Sequence, residues 1–469
     1  MSVPDAVDTG PTRRTGALGR IAMVLKSAMT QGSQRSLEAK RNILASFAIK
    51  IFSVGISLIL VPLTIHYVDP AQYGIWLTLS SIVAWFGFFD IGFGNGLRNR
   101  FAEAKATGQM EKARIYVSTT YAALTATFLG VWGLALAINP FLDWSRLLNA
   151  PAELANELSI LAQVVFTFFC AQVVLQTIRT VLIADQKPAR SAFIETLGQF
   201  FVLVAIFTLT RTTSGSLLHL GVALGAIPIL VLLVASLWFY SGEYRSFAPS
   251  WRLAKMSHAK DIMKLGVQFF VIQIAAIVIY QTTNIVIAQV AGPTQVTVYN
   301  IAFKYLGVAT MLFGIVMAPF WSAFTDAFAN NDFGWMQAAE AKLRNAAFLV
   351  MGFVVVMVAC SPWVYHLWVG DAVRVPWSVS VMVGLYVITN VWNTFNSLLL
   401  NGMGKIRLQL IVSLFGTVVN VPVAVLLGHS YGIEGVVLSS VLLNLISAVY
   451  APIQVRKLLN QRASGIWNA

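Results

Sequence analysis

Lys50, Asp90, Arg179 and Lys304 each stand inside an apolar run long enough to cross a bilayer. An ionisable group near the middle of a membrane helix costs about 2.5–3.5 kcal/mol on insertion scales, so each is a candidate for function. Lys50 shares a helical face with Ser46, Ser53, Ser57 and Thr64, which draws a polar stripe along one helix. Asp90 precedes the basic group Arg98-Asn99-Arg100. At 1.5 Å per residue, Lys50 and Asp90 both lie about 10 Å in from the same membrane surface. They are expected to approach one another, either as a structural ion pair or with Asp90 as a titrating switch. Arg179 lines up with Gln172 and Gln176 near the end of its segment, within snorkelling reach of water. Lys304 is the deepest charge and lies on a face with Thr297, Asn300 and Gly307. Uncharged polar residues also cluster: Gln281 and Asn284 with Gln273 and Tyr280, and Asn393 with Asn390, Ser397 and Asn401. Such groups bond helices together or line a hydrated lumen. With cations outnumbering Asp90, a shared cavity would attract an anion; Arg binds phosphate as a fork and Lys binds it as a point charge.

The elements that must position these residues are membrane helices. Of 469 residues, 57% are hydrophobic and only 11% charged, against about 25% charged in an average soluble domain. Segments of roughly 20 mostly apolar residues fall at 43–67, 73–96, 115–139, 158–182, 191–210, 217–240, 265–290, 296–321, 345–369, 377–401, 408–428 and 434–455. The net charge of +13 comes from short loops, so it sets topology and does not imply nucleic acid. Lys and Arg crowd the tail before Arg41, the loops 97–114, 183–190 and 241–264, the pairs Lys342/Arg344 and Lys405/Arg407, and the stretch after Arg456. The alternate loops carry only Arg146, Arg211 and Arg374. The asymmetry puts both termini in the cytoplasm. The expected organisation is all-α. A disordered cytoplasmic tail (1–42) leads into a six-helix lobe (43–240), a cytoplasmic linker (241–264), a second six-helix lobe (265–455) and a short cytoplasmic tail (456–469).

The two lobes read as a parallel repeat. YVDPAQYGIW (67–76) answers VAGPTQVTVY (290–299), pairing Pro70 with Pro293 and Gln72 with Gln295. The same offset sets FAEAKATGQ (101–109) on FTDAFANND (324–332), and a slightly different one pairs Lys187 with Lys405 and Gly198 with Gly416. Six passages per half return the chain to the same side, which a parallel repeat requires. Cys170 and Cys360 are too few and too apolar in context for a disulfide framework, and the five histidines have no ligand spacing, so no metal is expected. No Walker-type, HExxH, DxD or GxSxG motif occurs, and the loops are too short for a catalytic domain. The expectation is a non-enzyme without cofactor, driven by an ion or substrate gradient.

The stretch 41–108, with YGIW after the first turn, FFDIGFGNGLRN closing the second segment and FAEAKATG beyond it, resembles the polysaccharide repeat-unit flippases that export O-antigen and exopolysaccharide. That family shares a superfamily with the multidrug and toxin extrusion transporters and the lipid II flippase. The resemblance implies two helical bundles around a central cavity. It implies a polyprenyl-pyrophosphate-linked oligosaccharide as cargo, moved across the bacterial inner membrane by alternating access. Lys50, Arg179, Lys304, Gln281, Asn284 and Asn393 would meet the cargo, and Asp90 would couple to a proton or sodium ion or pair with Lys50. Membrane lipid, a polysaccharide polymerase and glycosyltransferases would be partners. The rival readings are a drug or cation antiporter, which would want acidic lumen residues, and a membrane polymerase or glycosyltransferase, which would want a long catalytic outer loop.

Overall fold

The computed structural model describes the backbone of residues 34–90 and 92–468. The expected tail therefore lies largely outside the described residues. Its last part does not: helix α1 runs Gln34–Val68, so residues 34–42 continue the first membrane helix. Beyond Gly32 and Ser33 the sequence Gln-Arg-Ser-Leu-Glu-Ala-Lys contains only residues that a helix accommodates, with no glycine or proline to break it.

Helix follows helix along the chain. The first lobe holds α1, then α2 (Pro70–Trp85), a 3-10 turn (Phe86–Asp90) and α3 (Phe93–Ala106). It continues with α4 (Met110–Ile138), α5 (Ala155–Leu175), α6 (Thr177–Ala184), α7 (Pro188–Thr212) and α8 (Leu217–Ser241). The second lobe holds α9 (Met256–Ala291), α10 (Pro293–Ala329), α11 (Phe333–Val369), α12 (Trp377–Gly402) and α13 (Arg407–Leu459), which is two arms joined at the non-helical Gly432. Helix α9 begins inside the expected linker, whose remainder forms two 3-10 turns, Arg245–Phe247 and Trp251–Leu253. Among the described residues there is no strand, and eight helices are long and apolar enough to cross a membrane by themselves. Of the other passages, α2–α3 is broken at the 3-10 turn and α12 is more polar along its Asn stripe. Counting α2–α3 and α5–α6 as one passage each, the chain makes six passages per lobe.

The repeat is visible in the backbone itself. Asp69 has φ 101 and ψ 162 where its mate Gly292 has φ 93 and ψ 163. Each precedes a helix-opening proline, Pro70 or Pro293, whose missing N–H costs nothing at that position. At the other end of the bundle, Gly108 (φ 73) answers Asn331 (φ 56), and Gln109 N bonds Ala104 O as Asp332 N bonds Ala327 O. Gln186 (φ 59) likewise answers Gly404 (φ 70), with Lys187 N on Leu182 O and Lys405 N on Leu400 O. These equivalences follow the offsets read from sequence and relate the lobes by a pseudo-two-fold axis.

Asp69 is strained, because its dihedrals fall where glycine alone is at ease, at about 1–3 kcal/mol for other residues. Its carboxylate offsets part of this by accepting Gln72 N at 2.9 Å as a helix cap, and a cap changed to glycine loses only a few tenths of a kcal/mol. Asp69→Gly is therefore expected to stabilise the protein by about 1 kcal/mol. Asp69→Ala keeps the strain, loses the cap and is expected to destabilise it. Thermal unfolding of the purified protein in detergent reads both, and a lower midpoint for Asp69→Gly contradicts the account.

At the end of the first lobe where the basic loops gather, Asp185 pairs with Lys105 and, at 3.2 Å, with Lys187, and it accepts from Tyr244 Oη at 2.6 Å. Glu243 pairs with Lys187 and with Arg190 at 2.5 Å. Burial pushes the Asp185 carboxyl up, but the donors from Lys105, Tyr244 and Lys187 outweigh it and hold the group below the usual carboxylate range. A lowered folded-state pKa gives stability that is present above the unfolded value and lost as pH falls through the folded one. This lock is expected to survive mild acid and to open only below the ordinary Asp range.

Candidate functional site

The lobes meet along a seam at the end away from the basic loops. Helix α2 packs against both α10 and α9, and the repeat-related helix starts face each other across it. Thr297 Oγ1 donates to Pro70 O at 2.6 Å. In the mirrored position, a Cβ on Gly74 would lie 1.8 Å from Pro293 O, so only glycine permits this approach. Thr297 is the repeat mate of Gly74, as Pro293 is of Pro70, so the two contacts are one contact made twice about the pseudo-two-fold axis. Trp368 Nε1 adds a bond to Leu58 O at 2.8 Å, and Asn149 Nδ2 one to Ala288 O at 3.0 Å.

Three of the expected residues converge on this seam. Lys304 Nζ lies 3.3 Å from Tyr73 Oη, reaching from α10 to α2. Asn284 Nδ2 donates to Ser81 Oγ at 3.0 Å, and Asn300 Nδ2 donates to Asn284 Oδ1 at 2.9 Å. Gln281, one turn along α9 from Asn284, is half-buried; the side chains of Gln273 and Tyr280 lie outside the described residues. Among the described residues Lys304 has no carboxylate partner. Its ammonium is met by the Tyr73 phenol.

The remaining expectations divide. Lys50 and Asp90 do not pair: no ion pair joins them among the described residues, Lys50 is exposed, and Asp90 Oδ1 accepts Gly94 N at 3.3 Å within its own segment. Sequence neighbours were expected to be spatial neighbours, but α1 lies along α7, with Ser53 Oγ donating to Gln199 Oε1 at 2.6 Å, while α2 turns toward the second lobe. Arg179 is not free either. It pairs with Glu195 of α7, and its Nε donates to Ser191 Oγ at 3.3 Å. Asn393 Nδ2 donates to Asn444 O at 2.9 Å, tying α12 to α13 inside the second lobe and away from the seam.

The glycines after Asp90 have separate reasons. Gly92 holds the left-handed φ of 76 that opens α3. A Cβ on Gly96 would lie 2.2 Å from Ile262 O, so this glycine lets α9 press on α3. Among the recorded contacts that cross the basic end, those between the lobes run through this start of α9. Among the described residues the seam is thus closed where α2 meets α9 and α10, and at the basic end it is bridged by the start of α9.

Glu195, Tyr73 and Ser81 were not picked out from sequence. Glu195 was the legible one, an acid four residues past Ser191 inside an apolar segment. Arg179 and Glu195 together read as a clasp between α6 and α7. Arg179→Ala strands the carboxylate and is expected to cost about 1–2 kcal/mol, discounted because both side chains are partly exposed. Adding Glu195→Gln is expected to restore part of that loss, as a double-mutant cycle in thermal stability would show. A purely additive cycle would remove the clasp.

A two-lobed, all-helical membrane bundle with polar seam residues defines a multi-pass membrane transporter. The pattern of the polysaccharide biosynthesis protein family matches residues 39–320, and the chain belongs to that family. It is 20% identical over 369 residues to a Yersinia pseudotuberculosis protein assigned to O-antigen export, covering 76% of this chain and 82% of that one. It is 20% identical over 419 residues to an O-antigen transporter assigned in Salmonella typhimurium, covering 85% and 91%. An inward-facing multidrug-resistance MATE family transporter superposes with a TM-score of 0.72 at 15% identity, over 90% of this chain and 100% of that one. An outward-facing form superposes at 0.63 and 16%, over 91% and 97%. These structures share the fold.

Proposed function

We propose that the protein flips a polyprenyl-pyrophosphate-linked oligosaccharide across the bacterial cytoplasmic membrane for surface polysaccharide biosynthesis. The basic end faces the cytoplasm with both termini, by the charge asymmetry of the loops. With the opposite end sealed by Thr297, Pro70, Gly74 and Pro293, the cavity opens toward the side on which the cargo is assembled. The observation that carries this reading is Lys304, a cation at the lobe seam held by Tyr73 Oη at 3.3 Å with no carboxylate partner among the described residues. Such a group attracts an anion and repels the cationic drugs of the related extruders. Lys50, exposed on α1, adds charge on the open side. Arg179, neutralised by Glu195, holds α6 on α7 instead of meeting the cargo. Asp90 is the group available to a coupling proton or sodium ion. A polymerase and glycosyltransferases would act before and after the crossing, and the export proteins among the relatives favour a carrier over an enzyme.

The transport cycle rocks the lobes about the seam. Depleting the protein in its host tests this. Lipid-linked glycan is expected to accumulate on the cytoplasmic leaflet and surface polysaccharide to disappear. Unchanged surface polysaccharide, or resistance to cationic dyes conferred by overproduction, would overturn the reading.

A further inference from the structure

Away from the seam, the first lobe carries a large concavity. It is a groove of about 1370 Å³ between α7 and α8, with Ile49 of α1 at one edge. Its walls are almost wholly apolar: Phe193, Leu197 and Phe201 from α7, and Leu230, Val234 and Trp238 from α8. Only the rim at the basic end is polar, at Arg190 and Glu243.

The groove is too long for one leaflet. Its lining along α7 runs from Ala189 to Ala205, which at 1.5 Å per residue is about 24 Å. The hydrocarbon core is about 30 Å thick, so an acyl chain entering from the basic side ends near the middle, about 15 Å in. A chain that fills this groove must pass the midplane. Polyprenyl carriers of surface glycans have chains of that length.

The rim suits the other end of such a lipid. Glu243 is shared between Lys187 and Arg190, and Asp185 between Lys105 and Lys187, so cations exceed carboxylates there. The Arg190 guanidinium lies over the Phe239 ring at 5.9 Å and is 44% exposed.

We propose that the groove between α7 and α8 seats the polyisoprenoid chain of the lipid-linked cargo, with its phosphate end at the Arg190 rim. This rests on the flippase reading and deepens it: the carrier chain is held by the protein instead of trailing through bulk lipid. Seating the chain on the first lobe also leaves the headgroup free to turn into the cavity while its tail stays tethered.

The test is the chain-length dependence of binding. The purified full-length protein is titrated with undecaprenyl phosphate and with farnesyl phosphate, which differ only in the chain, with phosphatidylglycerol as competitor. Burying additional methylenes is worth about 0.8 kcal/mol each, so undecaprenyl phosphate is expected to bind at least about tenfold more tightly. Ala205→Trp, placed deep in the groove, is expected to erase that preference and leave farnesyl phosphate binding unchanged. Equal affinity of the wild-type protein for the two phosphates overturns the proposal, and that arm needs no variant to fold. Equal competition by phosphatidylglycerol also overturns it, as it marks a general lipid groove. A protein that translocates lipid-linked glycan in liposomes without chain-length preference loses the groove and keeps the flippase reading; one with the preference but no translocation loses the reading.

Discussion

Gly74→Ala is expected to abolish transport while leaving the protein inserted and folded. In an isolated helix this substitution is stabilising, by about 1 kcal/mol. Here the added Cβ would lie 1.8 Å from Pro293 O and 2.5 Å from its carbonyl carbon. Both are backbone atoms at the start of α10 and cannot rotate away as a side chain would. The contact exists only when the lobes are closed at that end, so the substitution penalises one state of the cycle and spares the other. The population is expected to move to the form open at the sealed end, and a shift from mostly closed to mostly open needs a penalty of about 5.5 kcal/mol, within reach of a backbone overlap of this size. A cysteine at Thr297, labelled from outside with an impermeant maleimide, is expected to become reactive in the Gly74→Ala background. Thr297→Ala is the control. It removes one hydrogen bond to Pro70 O, adds no bulk, and is expected to weaken the seal by only about 1 kcal/mol. Normal export with Gly74→Ala would mean that the seam never closes this tightly in the membrane.

Lys304→Met is expected to give the second large effect. The change removes a charge from a membrane helix, so insertion becomes more favourable and abundance is expected to hold or rise. Tyr73 loses one partner at 3.3 Å, a small matter for a residue packed on all sides. The cargo loses a charge-assisted contact worth about 1.5–3 kcal/mol, which is about tenfold to a hundredfold in transport rate if that contact is made at the transition between lobes. Lys304→Arg keeps the charge but not the compact shape, and is expected to retain part of the activity. Reconstituted flipping of a lipid-linked glycan measures all of these. Wild-type rates for Lys304→Met would remove Lys304 from the cargo path and leave its bond to Tyr73 as a lobe latch.

Some of the site was legible before any coordinates. Lys304 and Asn284 were found because a polar group in an apolar helix must have a reason, and both stand at the seam. Asn393 met the same criterion and proved to bond α12 to α13; the rule finds polar groups that are satisfied, without saying by whom. The Lys50–Asp90 pair failed for a related reason. Depth along a helix does not give direction, and Ser53 of α1 turns to Gln199 of α7.

The sequence by itself determined the passages, their grouping into two related lobes and the pairing of the repeat turns. These are local properties: hydropathy acts residue by residue, and Asp69-Pro70 and Gly292-Pro293 carry their own backbone constraints. The tertiary structure alone decided that Gly74 faces Pro293, that Glu195 answers Arg179, and that α7 and α8 part to form a groove. In lipid, apolar faces are equally content against tails or against helices, so hydrophobicity does not choose neighbours. Small-residue contacts and a few hydrogen bonds do, and those exist only once two distant segments have met.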